Sequence, residues 1–150
     1  INIKIIINYK NGKKHGKCEY YDPKTQKIKK VIEYENGQKN GKTKEFYKNN
    51  KIKSEKTFKN GELDGFVKKY YKNGGLKEQT KYLKGQRNRE KKEYYKNGEV
   101  KSITKYKNNE KNGKTLTFNK DGDKISEIEY SNGEIQGEPK YFTSNGEEIG

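Results

Sequence analysis

The sequence has no Ala, Met or Trp, and only one Cys and one His among its 150 residues. The absence of Ala disfavours long helices. Cys18 alone excludes an internal disulfide framework, and without a His and Asn partner set it does not indicate a thiol nucleophile. No apolar run approaches the roughly 20 residues that a membrane-spanning helix requires. Because Met is absent, we expect a fragment or a processed chain, secreted or at the cell surface if a signal peptide was removed and otherwise cytoplasmic.

Hydrophobic residues are also scarce, at 26% of the chain, whereas 38% of the residues are charged. This is too little apolar side chain for a thick core between two layers. The residues that are present favour strands, because Tyr, Phe, Ile and Thr are common. Regularly spaced aromatic residues argue against the disorder that high charge would otherwise suggest. The composition therefore predicts a thin, all-β protein.

The aromatic residues recur at intervals of 24 residues, with a single interval of 25 in each of two columns. The first column is Tyr9, Tyr34, Phe58, Tyr82, Tyr106 and Tyr130, and the second is Tyr21, Phe46, Tyr70, Tyr94, Phe118 and Phe142. An aliphatic column accompanies them at Ile3, Ile28, Ile52, Leu76, Val100, Ile125 and Ile149. These two aromatic columns use 12 of the 18 aromatic residues, so the period reflects an internal repeat.

Glycine and asparagine mark two connections in each repeat. The first aromatic column is followed by an N-G-x-x-x-G loop, in which only Arg89 and Asn109 depart from glycine. The second column is followed by a turn such as Asn73-Gly74, which is a hairpin signal. Two strands of about 5–6 residues fill the period, and such short connections make neighbouring strands antiparallel. The sequence predicts an elongated, twisted, solenoid-like single layer of about six tandem β-hairpins, roughly 55 Å long.

We expect one repeat array over residues 1–150, with units of approximately 3–27, 28–51, 52–75, 76–99, 100–124 and 125–150. Residues 1–120 hold 34 Lys and Arg against 13 Asp and Glu, whereas residues 121–150 hold 2 against 8. The acidic last unit is best explained as a cap, as repeat arrays require. The alternative is head-to-tail assembly on the basic body of another molecule, and open sheet edges also permit end-to-end self-association.

The repeated phrase Y-x-N-G-x-x-x-G-K-x-x-x-Y-Y-K-N-G-x-h-K resembles the MORN repeat, in the bacterial variant found in YwqK-type antitoxin proteins. Residues 34–53, 58–77 and 82–101 match it best, and the resemblance extends over the whole chain as about six units. It implies a single-layer antiparallel sheet of hairpins. It also implies a scaffold or binding module, such as a lipid-head-group binder, a dimerising rod or an antitoxin. Arg89 departs from the pattern and puts the loop geometry of the fourth unit in question.

Three tyrosines directly follow the second aromatic column, but only in the central units: Tyr47, Tyr71 and Tyr95. A structural requirement should hold in every unit, so we predict that these side chains form a contact surface on the opposite face. The alternative is that they cover that face of the sheet. Lysines flank them in two further columns: Lys48, Lys72, Lys96, Lys53, Lys77 and Lys101. We call these nine residues the Tyr/Lys stripe.

Tyrosines interleaved with lysines predict binding of an acidic partner protein, including antitoxin-like neutralisation of a cognate protein. The alternative partner is an anionic lipid head group or another polyanion, and the lysines could also serve only solubility. Specific nucleic-acid binding is disfavoured, because the better phosphate ligand, Arg, occurs only at Arg87 and Arg89. His15 lies in a loop without partners for catalysis. We predict no enzyme activity, no catalytic residue, no cofactor and no metal site.

Overall fold

The structure is a computed structural model that describes residues 4–150. This part of the chain contains fourteen strands and no helix, which confirms the prediction of an all-β protein. Ile3, the first member of the aliphatic column, lies outside the described residues. The strands are Ile5–Ile6 (β1), Tyr9–Lys10 (β2), Lys13–Lys14 (β3), Gly16–Tyr21 (β4), Ile28–Glu35 (β5), Gln38–Phe46 (β6), Ile52–Lys59 (β7), Glu62–Tyr70 (β8), Leu76–Leu83 (β9), Gln86–Tyr94 (β10), Val100–Lys107 (β11), Glu110–Phe118 (β12), Lys124–Ser131 (β13) and Glu134–Tyr141 (β14).

Twelve of these strands form one antiparallel sheet in the order β1-β4-β5-β6-β7-β8-β9-β10-β11-β12-β13-β14. In the first hairpin, β1 pairs with β4 and β2 pairs with β3, so each arm of that hairpin is interrupted. From β4 onward, every strand pairs with the strand that follows it in sequence. Tandem hairpins therefore lie side by side in a single open sheet, as predicted.

The predicted N-G-x-x-x-G loop is not a loop, and the prediction of strands of 5–6 residues was wrong. The turn consists of two residues, as at Asn36 (φ 49°) and Gly37 (φ 86°), which is the geometry that two-residue hairpins favour. The second glycine, Gly41, lies inside β6 at a bulge, where the register shifts between Ile32 and Tyr34 of β5. The regular strands therefore run for 8–9 residues.

The connections between hairpins follow the second aromatic column; the first has six residues, 22–27, and the later ones are tight five-residue turns. In the turn over residues 71–75, the Tyr71 amide donates to the Gly75 carbonyl at 2.8 Å, and the Gly74 amide donates to the Tyr71 carbonyl at 2.9 Å. The Asn73 side chain accepts a hydrogen bond from the Gly75 amide at 2.9 Å. Gly74 has a φ of 96°, which explains the Asn-Gly signal in the sequence.

The core of this protein is a row of side chains on one face of the sheet. Among residues 4–150 the buried side chains are Cys18, Ile32, Thr43, Val67, Thr80 and Thr104. Cross-strand pairs such as Cys18–Ile32 and Val67–Thr80 place these residues in the middle of the strands. The second aromatic column lies on the opposite face, where the Tyr21 hydroxyl donates to Glu19 at 2.6 Å. The first aromatic column lies on the same face as the row, as the pairing of Gly65 with Tyr82 shows. With no second layer, the aromatic rings supply the cover. We call this side the aromatic face and the other side the lysine face.

Candidate partner-binding surface

The tyrosines of the Tyr/Lys stripe begin the turns that join one hairpin to the next, and all three are half-buried. Their hydroxyl groups donate hydrogen bonds to backbone carbonyls 23 residues further along the chain. Tyr47 donates to the Tyr70 carbonyl at 2.7 Å, Tyr71 to the Tyr94 carbonyl at 2.6 Å, and Tyr95 to the Phe118 carbonyl at 2.8 Å. Each bond links neighbouring hairpins, and we call the three bonds the tyrosine ladder.

The ladder ends where the sequence replaces tyrosine, and the end residues close their own turns instead. Asp22 accepts hydrogen bonds from the Lys24 and Thr25 amides at 2.9 Å, and these bonds lower the pKa of the Asp22 carboxyl. Asn119 accepts from the Asp121 and Asp123 amides at 2.9 and 3.0 Å. These tyrosines therefore have a structural role although they occur only in the central units, so the premise that a structural requirement holds in every unit does not apply to them.

The six lysines of the stripe are all exposed, and they approach the tyrosine rings. Lys77 and Lys96 lie 5.7 and 6.0 Å from the centre of the Tyr71 ring, and Lys101 lies 5.8 Å from that of Tyr95. Such distances permit weak cation–π attraction. The remaining three lysines share a depression of about 500 Å³ with Tyr47, Phe46 and Asn49: Lys48, Lys53 and Lys72. The structure thus brings the predicted residues together along one edge of the array.

None of the six stripe lysines forms an ion pair with any described residue, whereas nine other lysines do. Elsewhere a single carboxylate holds two lysines: Glu55 binds Lys42 at 3.0 Å and Lys44 at 3.6 Å. Glu127 likewise binds two lysines, and their hydrogen bonds lower the pKa of its carboxyl to about 2. The stripe therefore presents positive charge that residues 4–150 leave without an ion-pair partner.

A second basic feature lies on the lysine face, between β8 and β12. It is a groove of about 760 Å³, and Lys81, Arg89, Lys92 and Lys105 are among the residues that line it. Arg89 has a φ of 67° at the bulge position that glycine occupies in the neighbouring hairpins, so the bulge of the fourth unit is retained. Sequence reasoning treated Arg89 only as a departure in a loop. The replacement of glycine by arginine at position 89 was the feature of the sequence that could have indicated the groove.

Residues 4–150 contain neither a cluster of metal-ligand side chains nor a helix suited to cross a membrane. Between residues 4 and 150, no three His, Cys, Asp or Glu side chains are grouped so that they could hold a metal ion. The same residues include no helix of the length and hydropathy that crossing a membrane requires. Cys18 is completely buried beneath the aromatic face. Basic side chains outnumber acidic ones in this chain, with 36 Lys and Arg against 21 Asp and Glu.

Comparison with protein families agrees with this architecture. The MORN repeat variant matches the chain three times, at residues 39–60, 63–84 and 90–108. No curated protein matched the sequence. MORN repeats are non-catalytic scaffolds that commonly bind proteins or membrane lipids. Each match spans one turn-to-turn segment of the hairpin array described above, and residues 39–108 therefore consist of MORN repeats of the variant type.

Proposed function

We propose that this chain is a non-enzymatic scaffold, one array over residues 1–150 with an acidic cap, that binds an acidic partner protein through the Tyr/Lys stripe. One observation carries the proposal: six exposed lysines line one edge of the array and none has an ion-pair partner among residues 4–150. Unpaired charge of one sign steers and selects a partner of the opposite sign. Antitoxin-like neutralisation of a cognate protein is the form of this function to examine first.

The tyrosines contribute rigid, partly exposed rings rather than free hydroxyl groups. Because the hydroxyls of Tyr47, Tyr71 and Tyr95 are already bonded to carbonyls, the rings are held in place at little further entropic cost on binding. Half-buried rings offer less stacking surface to nucleotide bases than open ones, which supports a protein partner over single-stranded nucleic acid. Tyrosine is among the residues enriched at the energetic hot spots of protein interfaces.

An anionic membrane surface is the second candidate, and the same lysines favour it. Each lysine close to an anionic leaflet contributes about 1 kcal/mol, so six along one edge would hold the array at such a surface. The two candidates differ in what the surface must recognise. A membrane offers only charge density, whereas a protein also offers groups that fit the tyrosine rings.

The test measures binding of a fluorescein-labelled polyglutamate peptide, and in parallel of phosphatidylserine vesicles, by fluorescence anisotropy and vesicle flotation. The variant K48Q/K72Q/K96Q removes three stripe charges, and K10Q/K59Q/K84Q removes three exposed, unpaired charges at the other end of the strands. At roughly 0.5 kcal/mol per charge, the stripe variant should bind the peptide about tenfold more weakly. The control variant should bind as the wild type does.

The salt dependence of binding distinguishes the possible outcomes of this test. Binding that depends on charge must weaken as salt rises from about 50 to about 200 mM. Peptide binding that is lost in the stripe variant supports the protein-binding proposal. Binding to vesicles alone would replace it by the membrane candidate, and equal loss in both variants would show that the stripe has no special role.

A further inference from the structure

The groove beside Arg89 differs from the rest of the lysine face in its charge balance. Glu90 lies within the groove and pairs with Lys92 at 3.6 Å. The other cations that line it form no ion pair with any described residue: Lys81, Arg89, Lys105 and Lys107. Lys81 and Lys105 occupy a repeat position that is Glu33 in the second unit and Glu129 in the last. The third unit has Thr57 at this position, so the position is basic only in the fourth and fifth units.

The backbone at Arg89 has a positive φ, which is unfavourable for a residue that carries a long side chain. Its φ is 67°, whereas the equivalent residues Gly41, Gly65 and Gly113 have φ values of 103°, 117° and 100°. A side chain in this region is strained, and strained residues persist where the surrounding structure and a function maintain them. Arg89 is also exposed, so its side chain does not stabilise a core in compensation.

The second departure from glycine lies next to the first. Asn109 has a φ of 71° in the turn of the following hairpin. The Arg87 amide donates to the Asn109 side chain at 2.8 Å, and the Arg87 guanidinium donates to the Asn109 carbonyl at 3.2 Å. Both arginines of the chain and both replaced glycines therefore fall in one pair of hairpins. This part of the array differs from the regular repeat at three positions, and two of them, Arg87 and Asn109, are in direct contact.

The cations are spread over the groove rather than converging on a point. Lys81 lies on β9, Arg89 on β10 and Lys105 on β11, so the first and last are two strands, or about 10 Å, apart. Lys105 and Lys107 are two residues apart on one strand, which is about 7 Å. A lone phosphate would require converging donors. Carboxylates on alternate residues of an extended peptide have the matching spacing of about 7 Å.

The groove also offers an apolar contact and shares strands β9 and β11 with residues of the Tyr/Lys stripe. Phe66 lines it and is 40% exposed, with Lys81 at 4.5 Å from the ring centre. Lys77 of the stripe and Lys81 of the groove lie on the same strand, β9, four residues apart. A single partner could therefore contact the stripe and the groove together.

We propose that the groove binds an acidic segment of the partner protein, an extended peptide with several carboxylates and an apolar residue that packs on Phe66. This inference rests on the proposed function and names the part of the partner that the lysine face receives. Arg89 is its central charged contact, and Lys81, Lys105 and Lys107 bind the neighbouring carboxylates.

The test uses three substitutions at one position, with the labelled polyglutamate peptide as probe. Arg89→Asn removes the charge and keeps a residue that tolerates positive φ, Arg89→Gly removes the charge and restores the repeat, and Arg89→Lys keeps the charge. We expect R89N and R89G to bind the peptide about fivefold more weakly, and R89K to bind within about twofold of the wild type. Lys24→Gln, an exposed change of equal charge in the first unit, is the control and should leave binding unchanged.

Stability measurements show whether a change in peptide binding arises from a change in folding. R89G should unfold at a higher temperature than the wild type, because it removes the strain at φ 67° while it weakens binding. If R89N and R89G bind as the wild type does while the stripe variant K48Q/K72Q/K96Q does not, the groove proposal is overturned and the proposed function stands. If neither set affects binding, both are overturned. Inhibition by inorganic phosphate at concentrations where acetate has no effect would also overturn the peptide assignment.

Discussion

The tyrosine ladder makes a prediction about stability that is separate from any partner. Tyr71→Phe removes one hydroxyl group and keeps the ring, so it isolates the 2.6 Å hydrogen bond to the Tyr94 carbonyl. A hydrogen bond contributes about 1 kcal/mol to stability, and the half-buried carbonyl loses its donor. We therefore expect the free energy of unfolding to fall by about 1 kcal/mol.

The three bonds should contribute nearly independently, because each links a different pair of hairpins. The triple variant Y47F/Y71F/Y95F should then lose about 3 kcal/mol. For a protein of this length, 1 kcal/mol corresponds to about 2–4 °C in Tm, so the triple variant should melt about 6–12 °C below the wild type.

The assay is thermal and urea unfolding followed by circular dichroism, with amide hydrogen exchange to locate the effect. Tyr82→Phe is the matched control, because Tyr82 is also half-buried and its hydroxyl has no hydrogen-bond partner among the described residues. Exchange should accelerate most in the turns over residues 47–51, 71–75 and 95–99. An unchanged Tm in the triple variant would refute the reasoning, since it would mean that water satisfies these carbonyls equally well.

Other features of the structure give further predictions. Gly65→Ala should lower the free energy of unfolding by about 1–3 kcal/mol, because φ is 117° and the new Cβ would lie 3.0 Å from Thr57 Cβ. Gly61→Ala has open space around the new Cβ and should lower the free energy of unfolding by less in the same denaturation assay. Glu127 has a pKa of about 2 in the folded state, below its ordinary 4.5, so its stabilising effect is complete above pH 4.5 and is lost as the pH falls towards 2. Glu127→Gln should therefore lower Tm at neutral pH and reduce the drop in Tm on acidification; an equal drop in both proteins would contradict the assignment. Arg89→Gly should raise Tm by about 1–4 °C in calorimetry, since relief of a positive φ gains about 0.5–1 kcal/mol.

Most of the architecture could be predicted from the sequence, because the same pattern of residues recurs in each repeat. The aromatic columns and the Asn-Gly turns indicated tandem hairpins, and the observed strand order agrees. Strand length was underestimated, because Gly41 and its equivalents suggest a loop but lie in bulges that allow pairing to continue. A glycine in a periodic pattern does not show whether the chain turns or bulges at that point.

The surface was harder to predict than the fold. The sequence placed the stripe tyrosines together, but their bonds to carbonyls 23 residues away depend on the spacing of neighbouring hairpins. The groove was missed because its cations come from three strands and share a face only after the bulges set the register. Local patterns predict local structure, whereas charge balance on a sheet face depends on which residues oppose one another.

The tyrosine ladder also gives the array a direction. Each tyrosine donates towards the C-terminal neighbour, and the acceptor is a main-chain carbonyl, which every hairpin possesses whatever its sequence. Any unit can therefore follow a tyrosine-bearing unit, but only a tyrosine-bearing unit can extend the ladder. Duplication of a central hairpin would lengthen the coupled region by one unit, whereas duplication of the unit with Asn119 would introduce a break. The number of central tyrosines thus records how many neighbouring hairpins are coupled in this way.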